Sequence, residues 1–97
     1  YEITGNYTGE LIVVYNDNVN GTTSLIIKSL PWSKSLTYAN NVLVIGIGGD
    51  GFDSKPGVPG QTVTLRICSG GEVVKSSTNV AGSNGIVISD ALTYQFP

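Results

Sequence analysis

Short apolar runs, each ended by a turn signal, recur along the whole chain and restrict it to a β-fold. Val and Ile dominate these runs, and such β-branched residues fit a pleated surface better than a helix. No window shows the apolar period of about 3.6 residues that an amphipathic helix needs. The runs that we predict as strands cover residues 11–15, 25–30, 42–47, 62–68, 72–78, 85–89 and 92–96.

The spacing of these runs predicts an all-β fold in which about seven strands form two packed sheets. One run alternates clearly, and we expect its residues Val63, Leu65 and Ile67 to point into the core. A chain of 97 residues is long enough for one two-layer core. We therefore predict a single sandwich domain over residues 1–97.

Glycine-rich segments between the runs predict the turns. Gly70 and Gly71 separate two runs and indicate a tight hairpin, and Asn20-Gly21 gives the same signal earlier in the chain. Residues 50–60 contain two prolines among several glycines. We predict that this segment is a loop without regular structure.

Three segments combine an apolar strand, a loop rich in Pro and Gly, and a turn that precedes another apolar strand. They read VLVIGIGGDG, KPGVPGQTVTLRI and STNVAGSNGIVISDALTY. In this pattern the chain resembles bacterial immunoglobulin-like surface domains of the adhesin and invasin type over residues 41–94. The residues that carry the match are Gly57, Pro59 and Gly60 in the loop, and Thr78 with Gly82 or Gly85 in the turn.

The resemblance implies an immunoglobulin-like sandwich among cell-surface adhesion modules, and it implies no particular chemistry. In that family a further strand follows the position that Tyr94 holds here, and the first forty residues have no counterpart. We therefore expect the sandwich to be completed by its own N-terminal part or by a strand from a neighbouring subunit.

Two predicted strands, 11–15 and 42–47, are apolar on both faces, although a sandwich strand has only one inner face. Their outer side chains need cover, as at an interaction surface. We predict a subunit interface formed by Leu11, Ile12, Val13, Val14 and Tyr15.

We treat residues 10–16 as a candidate exchanged strand that follows a flexible segment, 1–9. Such an exchange is β-strand addition, and repeated head to tail it gives a filament. The expected function is a non-catalytic subunit of a pilus-like or cell-surface assembly. One alternative is a bead-like adhesin repeat in which residues 10–16 pair within their own domain. Another is a carbohydrate-binding module that uses Trp32 and Tyr38.

The polar composition favours an extracellular location. Only 12% of the residues are charged, and Ser, Thr and Asn supply most of the polarity. Asn6-Tyr7-Thr8 and Asn20-Gly21-Thr22 are glycosylation acceptor patterns, so we predict glycans at Asn6 and Asn20. Cys68 is the single cysteine, and we expect a buried or unreactive thiol rather than a bridge to another chain.

The remaining functional classes have little support in the sequence. Because the chain has no histidine, it cannot form a catalytic Ser-His or Cys-His pair. We therefore expect that the protein is not an enzyme and binds no cofactor. Five scattered basic residues and a net charge of −2 argue against nucleic-acid binding. No apolar stretch is long enough to span a membrane. Asp50 and Asp53 form a weak candidate calcium site, because they share one glycine-rich loop.

Overall fold

The chain forms two four-stranded antiparallel sheets that pack face to face as a β-sandwich. This is a computed structural model, and it describes residues 1–17, 21–38, 44–51, 54, 56–88 and 91–95. No helix occurs in these residues. The strands are β1 (Glu2–Gly5), β2 (Leu11–Asn16), β3 (Thr22–Ile27), β4 (Trp32–Ser33), β5 (Val44–Gly51), β6 (Thr62–Ser69), β7 (Glu72–Val80) and β8 (Leu92–Gln95).

Sheet A has the strand order β4-β1-β6-β7, and sheet B has the order β3-β2-β5-β8. Two hairpins, β2–β3 and β6–β7, join neighbours within a sheet, and the other connections cross between the sheets. The β6–β7 hairpin turns at Gly70 and Gly71, whose φ angles are 61° and 86°. Two positive φ angles define the turn that matches the twist of a hairpin, so this prediction is confirmed.

The structure has eight strands in its described residues, one more than the seven predicted. Two of them, β1 and β4, were missed, because each is too short to show a pattern. Residues 85–88 of the predicted strand 85–89 form a loop instead, which a single bridge between Ile88 and Asp50 joins to β5, and residue 89 lies outside the described residues. Strand β5 continues through the glycines of 48–51, where we had predicted that it would end.

Part of the N-terminal segment 1–9, which we predicted to be flexible, is a strand in the structure. Residues Glu2–Gly5 form β1, which lies between β4 and β6 and pairs with both of them. Ile3 in this strand is fully buried in the core. Consequently, the N-terminal part of the chain completes its own sheet A.

The core lies between the two sheets and takes alternate side chains from each strand. Val63, Leu65 and Ile67 of β6 are at most 1% exposed, which confirms the predicted inner face. Ile3 and Ile47 meet them from β1 and β5. Burying each of these side chains contributes roughly 1.5–3 kcal/mol relative to leaving it in water.

Tyr7 closes one end of the sandwich by joining two loops. Its hydroxyl donates to the carbonyl oxygen of Gly85 at 2.9 Å, and the N–H of Gly57 donates to the same oxygen at 2.9 Å. Of the two glycines matched in the resemblance, Gly85 rather than Gly82 makes this contact. The φ of Gly85 is +75°, and a Cβ there would lie 2.4 Å from the oxygen of Gly57. The glycine is therefore required where the loops meet.

Candidate interaction surfaces

Strand β2 carries all five residues of the predicted interface, and the structure divides them between two faces. Leu11, Val13 and Tyr15 are buried in the core of their own domain. Ile12 and Val14 point outward and are 43% and 40% exposed. The strand pairs with β3 on one side and with β5 on the other. Of the five predicted interface residues, only Ile12 and Val14 thus have side chains available to another molecule.

Ile12 and Val14 belong to an exposed apolar cluster on the outer face of sheet B. Ile26 of β3 lies directly opposite Ile12 and is 55% exposed, and Gly48 of β5 lies opposite Val14. Cross-strand neighbours on one face have Cβ atoms about 5 Å apart, so these side chains form one surface. We call Ile12, Val14 and Ile26 the apolar face. Sequence reasoning missed Ile26, although its run was predicted as a strand.

The outer face of sheet A is different, because a row of hydroxyl groups crosses it. Thr4, Thr64 and Thr78 lie in one row across β1, β6 and β7. The hydroxyl oxygens of Thr64 and Thr78 are 2.9 Å apart, and Arg66 donates to Thr4 Oγ1 at 3.3 Å. The outer face of sheet A is therefore mainly polar, with Val80 as an exposed apolar side chain at its edge, whereas the outer face of sheet B carries three adjacent apolar side chains.

Strand β7 is the outermost strand of sheet A and pairs only with β6 among the strands of the structure. Its side chains Ser77 and Asn79 point inward, opposite Leu65 and Val63. Ser77 Oγ and Asn79 Nδ2 are buried, yet neither has a hydrogen-bond partner within the described part of the chain. Buried polar groups without partners are unusual in folded proteins, and nothing in the sequence pattern marked these two residues.

Trp32 and Tyr38, the predicted carbohydrate-binding pair, lie at the end of the sandwich opposite Tyr7. The Trp32 ring packs against the ring of Tyr15, with centroids 5.8 Å apart, and joins the edge of the core. The hydroxyl of Tyr38 lies 2.7 Å from that of Tyr1, and both donate to the carbonyl oxygen of Asn16. Burial raises the pKa of both tyrosines. Carbohydrate binding at this end stays a prediction.

A cavity of about 480 Å³ lies beside this tyrosine pair. Tyr1 and Tyr38 line it, together with Ile45, Ile67 and the Gly70–Gly71 turn, whereas Trp32 is not among its lining residues. Trp32 and Tyr38 therefore do not line this cavity together.

Cys68 also lines this cavity and carries a free thiol. Its Sγ donates to Glu2 Oε1 at 3.3 Å. Burial and the adjacent Glu2 carboxylate raise the pKa of the thiol. Since the thiolate is the reactive form, this environment makes the sulfur less reactive than a free cysteine.

Of the two predicted calcium ligands, Asp50 is exposed on the outer side of β5, and Asp53 lies outside the described residues. No group of three or more acidic, His or Cys side chains gathers in the residues that the structure describes. The calcium site stays a weak prediction.

Of the two predicted glycosylation sites, Asn6 is exposed and Asn20 lies outside the described residues. Asn6 Oδ1 accepts a hydrogen bond from the N–H of Thr62 at 2.7 Å. A glycan would be attached to the other side-chain atom, Nδ2, so this bond is compatible with modification. Glycosylation at both positions stays a prediction.

Comparisons of the chain with family models, with curated proteins and with solved structures found no match. In the described residues there is also no helix with the length and apolarity to cross a bilayer.

Proposed function

We propose that this chain is a non-catalytic structural module of an extracellular, cell-surface or filamentous assembly. In this proposal it is an immunoglobulin-like sandwich that packs against copies of itself through the apolar face. The weakly charged composition and the acceptor pattern at Asn6 support the extracellular location. The two sheets of four strands, with repeated crossings between them, support the immunoglobulin-like architecture.

The observation that carries this proposal is the contrast between the two outer faces. Sheet A presents a row of threonine hydroxyls, with Val80 as an exposed apolar side chain at its edge. Sheet B instead presents the three apolar side chains of the apolar face together, at 40% to 55% exposure. Contiguous apolar side chains at a surface mark an interaction site, while isolated ones need no explanation. Covering them would remove apolar surface from water, at about 25 cal/mol per Å².

The position of β2 supports packing of intact modules over exchange of residues 10–16. This strand makes six register pairs with β3 and five with β5. Its departure would separate β3 from the rest of sheet B and uncover Leu11 and Val13. A contact that uses only the outward side chains of β2 leaves β3 in sheet B and keeps Leu11 and Val13 buried.

The test measures the molar mass of the purified chain by light scattering over a range of concentrations, with negative-stain electron microscopy at the highest one. In the variant Ile12→Thr/Val14→Thr/Ile26→Thr the β-branched side chains remain, but the apolar face becomes polar. We expect the parent chain to associate into species that grow with concentration, and the triple variant to form nothing larger than a dimer.

The matched control is Val58→Thr, because Val58 is 55% exposed and lies in the loop before β6, outside the strands of sheet B. This variant should associate like the parent chain. A parent chain that is monomeric throughout, or a triple variant that associates as strongly as the control, would refute the proposal. Deleting residues 1–15 removes β1 and most of β2, so we expect loss of the fold rather than a monomer with intact sheets.

A further inference from the structure

Among the described strands, β7 has a neighbour on one edge only, and its other edge, called the free edge below, offers a second and more specific contact than the apolar face. This strand has nine residues and ends sheet A. Its segment Ser76–Val80 contains neither a charged residue nor a proline. Natural edge strands usually carry such residues, which prevent pairing with another chain. The Ser76–Val80 edge has none of these protections.

The hydrogen bonds around β7 show which backbone groups face the free edge. The N–H of Ala81 donates to the carbonyl oxygen of Gln61, so this pair closes the β6–β7 ladder. In an antiparallel ladder, hydrogen-bonded and non-hydrogen-bonded pairs alternate. It follows that Asn79 and Ser77 bond to β6, whereas Val80, Thr78 and Ser76 direct their N–H and C=O groups outward.

The N–H of Thr62, opposite Val80, points away from β7 to Asn6 Oδ1, as this alternation requires. The regular edge ends at the bulge opposite Ile67 and Cys68, close to Lys75. The outward groups of Ser76, Thr78 and Val80 therefore form one uninterrupted segment.

We propose that two copies of this chain pair antiparallel through β7, with the twofold axis at Thr78. This register places Thr78 opposite the same residue of the second copy and Ser76 opposite Val80. Each of these pairs exchanges two backbone hydrogen bonds. The two four-stranded sheets A become one continuous sheet.

The unpartnered side chains of β7 select this register. With the axis at Thr78, Ser77 of one copy lies opposite Asn79 of the other, in a non-hydrogen-bonded pair whose Cα atoms are about 4.5 Å apart. The hydroxyl oxygen of Ser77 is then an acceptor for Asn79 Nδ2, and the twofold axis repeats the bond. An axis at Ser77 would instead place Asn79 opposite Lys75. Only the register at Thr78 supplies both buried polar atoms with complementary partners.

The experiment traps the register with single cysteines in a Cys68→Ser background. Thr78→Cys places two thiols across a pair with a Cα separation of about 5.5 Å, which lies within the range of disulfides. Ser76→Cys is the matched control on the same strand and face. Its two copies would be four residues apart along the strand, about 13 Å at 3.3 Å per residue.

In a glutathione redox buffer we expect disulfide-linked dimer as the main species for Thr78→Cys. Ser76→Cys alone should give at least about tenfold less dimer, since only the paired position has a high effective concentration. A mixture of Ser76→Cys and Val80→Cys should give the mixed dimer. Equal cross-linking of the two single variants, or none in either, would overturn the proposal.

A second pair of variants tests the backbone bonds, with sedimentation velocity as the measurement. Thr78→Pro removes an outward N–H and leaves the β6 ladder intact, because proline is tolerated at such an edge position. Thr78→Val keeps that N–H, and both variants lose the hydroxyl that contacts Thr64. In the background of the three Thr substitutions on the apolar face, Thr78→Val should dimerise and Thr78→Pro should remain monomeric. Equal dimerisation by the two variants would contradict the inference.

This inference rests on the proposed structural role, because it names the partner as a second copy. The two nevertheless fail separately. If Thr78→Cys does not cross-link while the Thr substitutions on the apolar face still abolish association, the β7 contact is wrong and the proposed function stands. If Thr78→Cys cross-links but the Thr substitutions on the apolar face leave association unchanged, the β7 contact stands and the proposed packing through the apolar face is wrong.

Discussion

Replacing Gly85 by Ala tests whether the two loops at the Tyr7 end form a single structural unit. At Gly85, alanine would have to adopt a φ of +75°, and its Cβ would lie 2.4 Å from the oxygen of Gly57. Gly70→Ala is the matched control, because Gly70 has a φ of +61° but no atom within 4 Å of the added Cβ. The two substitutions share the backbone cost and differ only in the overlap.

The structure gives a magnitude for each variant. For Gly70→Ala, the left-handed backbone alone costs about 1 kcal/mol. In Gly85→Ala the overlap also separates the Gly85 carbonyl oxygen from its two hydrogen-bond donors, the Gly57 N–H and the Tyr7 hydroxyl. With about 1 kcal/mol for each lost hydrogen bond, Gly85→Ala should cost about 3 kcal/mol in total.

Thermal unfolding followed by circular dichroism measures this difference. For a domain of this size 1 kcal/mol lowers Tm by about 4–8 °C, so Gly70→Ala should lose about that much and Gly85→Ala about 12–24 °C. Equal losses of Tm would show that the loops do not depend on the Gly57–Gly85 contact, and would refute this explanation of the glycine.

Two further predictions follow from the groups around the cavity. Because burial and Glu2 raise the pKa of Cys68, iodoacetamide should alkylate it at pH 8 more slowly than a free cysteine, and Glu2→Gln should accelerate the reaction. An unchanged rate in Glu2→Gln would contradict the role of the carboxylate. Burial likewise raises the pKa of Tyr1 and Tyr38, so the fold binds their protons more tightly than the unfolded chain does. This stabilisation is complete below the unfolded tyrosine pKa of about 10 and is lost as the pH rises above it. Tm should therefore fall in this alkaline range, and less steeply in Tyr1→Phe/Tyr38→Phe. Identical alkaline profiles would exclude the two hydroxyls as the cause.

The sequence was most informative where one strand alternates between core and solvent. Val63, Leu65 and Ile67 could be assigned to the core because polar residues separate them, and the Gly70–Gly71 turn has a specific backbone requirement. In β2 the apolar pattern on both faces predicted outward apolar side chains. The pattern did not show whether β2 pairs within its own domain or with a neighbouring subunit, because the same side chains fit both arrangements.

The strands that sequence reasoning missed depend on long-range contacts. β1 is short, and it is a strand because Ile3 fills the core between β4 and β6. β5 continues into its glycines because residues 48–51 pair with β2. At Gly51 a Cβ would lie 2.5 Å from the Tyr7 hydroxyl, so a side chain does not fit there. The inward side chains of Ser77 and Asn79 looked like ordinary polar residues in the sequence. Their lack of partners appears only when the strand order is known.

The most direct test of the proposed function is the accessibility of the apolar face in the associated protein. In a Cys68→Ser background, Val14→Cys reports on this face and Val58→Cys on the loop before β6, outside the strands of sheet B. Both cysteines should react with maleimide in dilute monomer. We predict that association at high concentration protects Val14→Cys and leaves Val58→Cys reactive. Equal labelling of the two positions in the associated state would contradict the claim that copies of this chain cover the apolar face.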